Sequence, residues 1–189
     1  MSLLDEILVY NERFVEEEEY EKYKAGKLPE KRMVVLSCMD TRLVELLPKS
    51  MNFKNGDAKV IKTAGAVVSH PFGSAMRSIM VAVYELNADE VFVVGHHDCG
   101  MSSINSDKMI GKMKDRGITE ETIETVENSG IHLANWLRGF DSVVESVKNS
   151  VEIIRNHPLL PPNIPVHGLV ISPETGKLDK VVDGYEFLK

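Results

Sequence analysis

The sequence predicts an α/β protein whose mostly parallel central sheet is flanked by helices. Three observations lead there. Short β-branched runs at 33–37, 58–62 and 90–94 alternate with longer segments of helical spacing over the first hundred residues, the order that builds a parallel sheet covered by helices. The first run, MVVLS, is apolar almost without interruption, as expected of a strand buried on both faces. Near the end, 165–172 and 178–183 flank a Pro-Glu-Thr-Gly turn, a hairpin that adds an antiparallel edge.

Taken in order, 3–23 reads as an N-terminal helix with Leu4, Ile7, Leu8, Phe14 and Val15 loosely on one side. The acidic run 16–19 is its solvated face. Strand 33–37 follows, then a turn at Asn55-Gly56-Asp57 and strand 58–62. Segment 72–86, FGSAMRSIMVAVYEL, carries apolar groups all round and reads as a well-buried helix. Strand 90–94 runs into GHHDCG, and helical stretches at 119–138 and 141–156 precede the hairpin. No repeat, low-complexity tract or linker divides the chain, and 189 residues suit one domain with a sizeable core.

Composition narrows the partners. Hydrophobic residues make up 43% and charged residues 27%, an ordinary globular balance. A net charge of −7 argues against nucleic acid or an anionic membrane as the main partner. The start, MSLLDEILVYNERF, lacks a basic region and a cleavage site, and no apolar run approaches the length of a membrane span. A cytoplasmic address is expected. Two cysteines in such a compartment serve as metal ligands, catalytic groups or inert core more often than as a disulfide.

Both cysteines sit where strands end. VVLSCMDTR delivers Cys38, Asp40 and Arg42 at alternate positions beyond the first strand. GHHDCG places His96 and Cys99 three residues apart beyond the third. Function in parallel sheets collects at the carboxyl ends of strands, so neighbouring strands would open both thiols into one crevice. His-x-x-Cys alone is a weak signal; with Cys38 it supplies the nitrogen and two sulfurs that zinc accepts, and three protein ligands leave the fourth tetrahedral position for water. His97 competes with His96, but His96 has the spacing to Cys99. Arg42 can orient the Asp40 carboxylate, which can in turn accept a hydrogen bond from the metal-bound water. Two thiolates cancel the charge of zinc, so that water is less acidic than on three neutral histidines, and a directional acceptor matters more. Otherwise Asp40 and Arg42 form a surface ion pair of little worth. A thiol-phosphatase loop is excluded: the Cys38–Arg42 interval is too short, lacks glycine and holds an anion-repelling Asp40.

Cys38-x-Asp40-x-Arg42 followed about 55 residues later by His96-x-x-Cys99 resembles the β-class carbonic anhydrases. The likeness extends from about residue 30 to the end through KTAG at 62–65, the Arg77-Ser78 pair, HHDCGM at 96–101 and VHGLVISPETGKL. It looks most similar to the shorter, archaeal-type branch found also in bacteria. The resemblance implies four parallel strands plus an antiparallel fifth, one domain over 1–189 with an N-terminal helical arm over 1–28, and a homodimer or dimer of dimers in which the arm reaches over the partner. It implies Zn2+ on Cys38, His96 and Cys99, with Asp40 as a conditional fourth ligand and the Asp40–Arg42 dyad beside the metal. Gly65 and Gly100 match backbone positions lining the substrate pocket, while Thr63 stands where the family more often has asparagine. The implied activity is reversible hydration of carbon dioxide to bicarbonate by zinc-bound hydroxide. Carbonyl sulfide or carbon disulfide hydrolysis at the same metal site, and a non-catalytic zinc-stabilised scaffold or sensor, are the alternatives. His70, His97, His132, His157 and His167 are all chemically able to shuttle the proton, and the sequence selects none.

Overall fold

Strand β1 (Met33–Cys38) lies inside the sheet, where its side chains find apolar partners on both faces. Val34 and Leu36 point into a core with Ile79, Val91, Val93 and Ile154; Met33 and Val35 point into another with Leu43, Leu47, Phe53 and Ile171. All six β1 residues are buried, so the uninterrupted apolar run is the period-two alternation of a doubly covered strand. The computed structural model describes residues 1–188.

Around β1 stand β2 (Ala58–Thr63), β3 (Glu90–His96), β4 (Val166–Ile171) and β5 (Leu178–Val182), in the order β2-β1-β3-β4-β5. The first four are mutually parallel and β5 is antiparallel to β4, with an irregularity between Gly168 and Leu169. Because β1 and β3 are hydrogen-bonded neighbours in near-level register, Ser37 beside Val94, the turns that follow them leave the sheet side by side.

Helix α1 (Leu3–Glu16) begins with a reciprocal capping box between Ser2 and Asp5. The helix read over 3–23 stops early. Glu17 caps it, Glu18 takes φ +55°, and Glu19–Tyr23 forms a separate 3-10 turn. Helix α2 (Leu43–Ser50), which the sequence reading passed over, starts directly after Arg42 and buries Leu43 and Leu47; Pro48 in its last turn obscures it. Helix α3 (Ser74–Tyr84) is less buried than its composition suggests. Met76, Ile79 and Ala82 are covered, but Val81 and Tyr84 are 43% and 58% exposed.

The stretch read as one helix over 119–138 is two, α5 (Glu120–Asn128) and α6 (Leu133–Trp136), broken where Gly130 takes φ +91°. They follow α4 (Ser106–Asp115), also unread, whose face is too polar for a clear apolar stripe. Helix α7 (Val143–Arg155), capped by Ser142, packs closely on β3 and β4 because Gly95 and Gly168 lack side chains. A Cβ at Gly95 would come within 2.7 Å of Val147, and one at Gly168 within 2.8 Å of the same residue.

Candidate metal centre

The crossover from β1 and the crossover from β3 deliver three soft or borderline donors to one buried point. Cys38 ends β1, His96 ends β3, and Cys99 closes the turn that follows. Their residues are 5%, 1% and 5% exposed, and the candidate ligand atoms all lie within 4.8 Å of one another. The two Sγ atoms are 3.9 Å apart and unbonded. A tetrahedral ion with sulfurs at about 2.3 Å would hold them about 3.8 Å apart, so the donor set already has the right span.

The imidazole is set for ligation. His96 Nδ1 donates to the His97 carbonyl at 2.8 Å, which leaves the lone pair on Nε2. That Nε2 is buried and finds no hydrogen-bond partner among the described residues. A buried acceptor is costly to leave unsatisfied, and a cation at this point satisfies it. Burial, against the Met101 amide that donates to it, and the neighbouring Cys38 push the Cys99 thiol up to about 11. Two thiolates side by side need a cation to coexist. The Gly65 amide, in a left-handed turn at φ +72°, donates to Cys38 Sγ at 3.4 Å and supports the thiolate.

Asp40 Oδ2 lies 3.7 Å from His96 Nε2. Arg42 grips the carboxylate sideways, Nε to Oδ1 at 3.0 Å and Nη2 to Oδ2 at 2.9 Å, while the Arg42 amide donates to Oδ1 at 2.9 Å. The side-chain bonds from Arg42, more than any other influence, hold the Asp40 carboxyl down at about 2, and Arg42 is raised well above its usual value in return. Asp40 is therefore an anion and a hydrogen-bond acceptor across the working pH range, and a weak base.

The structure also shows what the motif reading overlooked. Arg42 reaches across to the other crossover, Nη1 to Asp98 Oδ2 and Nη2 to the Asp98 carbonyl, both at 3.0 Å. Asp98 is visible inside GHHDCG, but nothing in linear spacing ties it to Arg42. Lys62 Nζ donates to the Cys38 carbonyl at 3.3 Å. Of the remaining histidines, His97 and His132 are exposed, His70 is exposed on a cavity wall, and His157 and His167 are buried. That cavity, of about 900 Å³, is lined by Met39, Thr63, Met101, Trp136 and Phe140 among others. Neither Gly65 nor Gly100 lines it: Gly65 is buried beneath Met101 and Phe140, and Gly100 is exposed.

Fold and site together define an α/β protein with a Cys-His-Cys group that could hold a metal ion at the carboxyl ends of adjacent parallel strands. Comparison with known proteins makes the assignment specific. The family model described as carbonic anhydrase matches residues 33–178, and the chain belongs to the β-carbonic anhydrase family. It is 64% identical over 185 residues to the "Putative carbonic anhydrase YtiB" of Bacillus subtilis (strain 168), covering 98% of this chain and 99% of that one. The crystal structure of β-carbonic anhydrase isoform I from Trichomonas vaginalis is similar with a TM-score of 0.89 and 37% identity, over 98% of this chain and 100% of that one. A carbon disulfide hydrolase of Acidithiobacillus thiooxidans is 30% identical over 155 residues, 78% of this chain and 76% of its own.

Proposed function

We propose that this chain is a zinc enzyme that hydrates carbon dioxide reversibly to bicarbonate and a proton. The observation that carries the reading is the convergence of Cys38 Sγ, Cys99 Sγ and the unpartnered His96 Nε2, with an arginine-held carboxylate 3.7 Å from that nitrogen. Zinc, which those three residues would hold, would supply the Lewis acidity that lowers the pKa of water. Cys38 and Cys99 would hold the ion as thiolates, and the Gly65 amide donates to the Cys38 sulfur. His96 keeps its Nδ1 proton on the His97 carbonyl, so Nε2 is the atom that would ligate.

Asp40 orients the reacting water by accepting its hydrogen bond, and Arg42 holds the carboxylate in that orientation. With its pKa near 2, Asp40 does not retain the proton, which passes to solvent. If Asp40 turned from Arg42 toward the metal it would occupy the fourth position and stop turnover, so Arg42 also keeps the site open. Gly65 contributes through its amide, whereas Gly100 is exposed and outside the cavity lining.

The chain acts as a homodimer in the cytoplasm. Among the described residues none of α1 is buried, and Leu4, Ile7, Leu8 and Tyr10 are each more than half exposed, an apolar face that a second copy would cover. No helix among the described residues is long and apolar enough to cross a membrane.

Stopped-flow hydration on zinc-quantified protein tests the proposal. Two thiolates neutralise the ion, so the rate should be low near about pH 7 and climb toward about pH 9. Stoichiometric zinc without hydration at alkaline pH would instead identify a non-catalytic scaffold. Parallel assays with carbonyl sulfide and carbon disulfide should give slower turnover than carbon dioxide; the reverse order would assign the chain to the sulfur-analogue hydrolases among its relatives.

A further inference from the structure

We infer that Asp98 is a positioning residue that locks Arg42 and thereby holds Asp40 off the metal. The inference rests on the proposed reaction but concerns a residue outside the ligand set and the Asp40–Arg42 pair.

Arg42 makes four side-chain hydrogen bonds, two to Asp40 and two to Asp98. The Nε–Nη2 edge takes the Asp40 carboxylate, Nη1 takes the Asp98 carboxylate, and the second proton of Nη2 takes the Asp98 carbonyl. A planar guanidinium gripped on both edges cannot rotate about its terminal bonds without breaking contacts at the opposite side. Without the Asp98 carboxylate, the 41% exposed Arg42 side chain would keep only the Nη2 contact to the residue-98 carbonyl beyond its Asp40 edge, and the Asp40 carboxylate would gain freedom to swing toward His96 Nε2.

The carbonyl contact has a backbone cause. Asp98 sits between the two ligands His96 and Cys99 with φ +53°, a left-handed conformation that aspartate tolerates better than most residues. That local turn presents its carbonyl to Nη2. One arginine from the β1 crossover thus clasps the crossover from β3, tying the segment with Cys38 to the segment with His96 and Cys99. Its own carboxylate is 86% exposed, so the Coulombic gain is that of a surface ion pair and small. Asp98 matters for orientation more than for energy.

The test uses cobalt(II)-substituted protein and reads azide affinity from the visible spectrum. Azide competes with Asp40 for the fourth position, so its affinity reports how far Asp40 is held away, without any turnover. Asp98→Gly keeps the left-handed turn and removes only the carboxylate; it should weaken azide binding about threefold to tenfold. Asp98→Asn retains both the turn and an acceptor for Nη1 and should stay within about twofold of the parent. In an Arg42→Gln background, Asp98→Gly should have no further effect, which a merely structural role would not produce. Unchanged azide affinity in Asp98→Gly, or an equal loss with and without Arg42, overturns the inference. Because Asp98 is exposed, neither substitution removes packing. Absence of carbon dioxide hydration in the parent protein would defeat the proposed function while leaving the azide result readable.

Discussion

Cys38 and Asp40 differ by two positions and by role, and substitution separates them. Cys38→Ser removes a thiolate from a buried three-donor set, so zinc and activity should be lost together, as metal analysis beside the hydration assay will show. Asp40→Asn leaves all three ligands and roughly the same volume. It should keep zinc at one per chain and lose about 100-fold or more in turnover, because the amide presents a donor where an acceptor is needed; full activity in that variant would remove Asp40 from the mechanism. Acid affects the same residue in the metal-free protein. The folded pKa of Asp40 is about 2, below the unfolded value of about 3.9. Its stabilising contribution is therefore complete above about pH 4 and is lost as pH falls toward 2.

At the scale of the element, the first turns beyond β1 and β3 are short because the strands deliver their ligands directly, while the opposite end of the sheet has a different occupant. His167 on β4 is buried between Phe92 of β3 and Tyr185, with ring centroids 4.7 Å away on either side. Its Nδ1 accepts from the Gly184 amide. Burial pushes the ring below the ordinary histidine value, against the pull of Glu90 and Asp183. The unfolded chain thus takes up that proton more readily than the folded one. Stability should be complete above about pH 6.5 and decline as pH falls, levelling off below the folded pKa. Urea midpoints measured across that range should fall more steeply in the parent protein than in His167→Gln. The contact between α7 and the sheet is equally specific: Gly168→Ala forces a methyl against Val147 and should cost about 1–3 kcal/mol in chemical unfolding.

For the whole molecule, the proposed dimer rests on α1. Its capping box is well formed, yet its apolar positions meet solvent. Leu8→Lys should shift the protein from dimer toward monomer in light scattering coupled to size exclusion, with little change in the far-ultraviolet spectrum of the monomer. A parent protein already monomeric at micromolar concentration would contradict the proposed dimer.

The chain by itself determined which donors stand at each crossover. The apolar run before Cys38 specifies a doubly covered strand, the spacing of His96 and Cys99 specifies two donors in one turn, and the alternation of strands and helices specifies a parallel sheet. Those features are local, and periodicity or spacing records them. Helix limits were less legible where tertiary packing decided them. Glu18 and Gly130 break helices that periodicity would continue, and α2 survives despite Pro48 because Leu43 and Leu47 are buried against the sheet. Only the tertiary structure decided that β1 and β3 are neighbours, which brings sulfurs 61 residues apart in sequence to 3.9 Å. It also decided that Arg42 clasps Asp98 as well as Asp40. Sequence separation carries no trace of either contact, because a hydrogen bond across two crossovers depends on strand order and register, and burial of the whole sheet selects those.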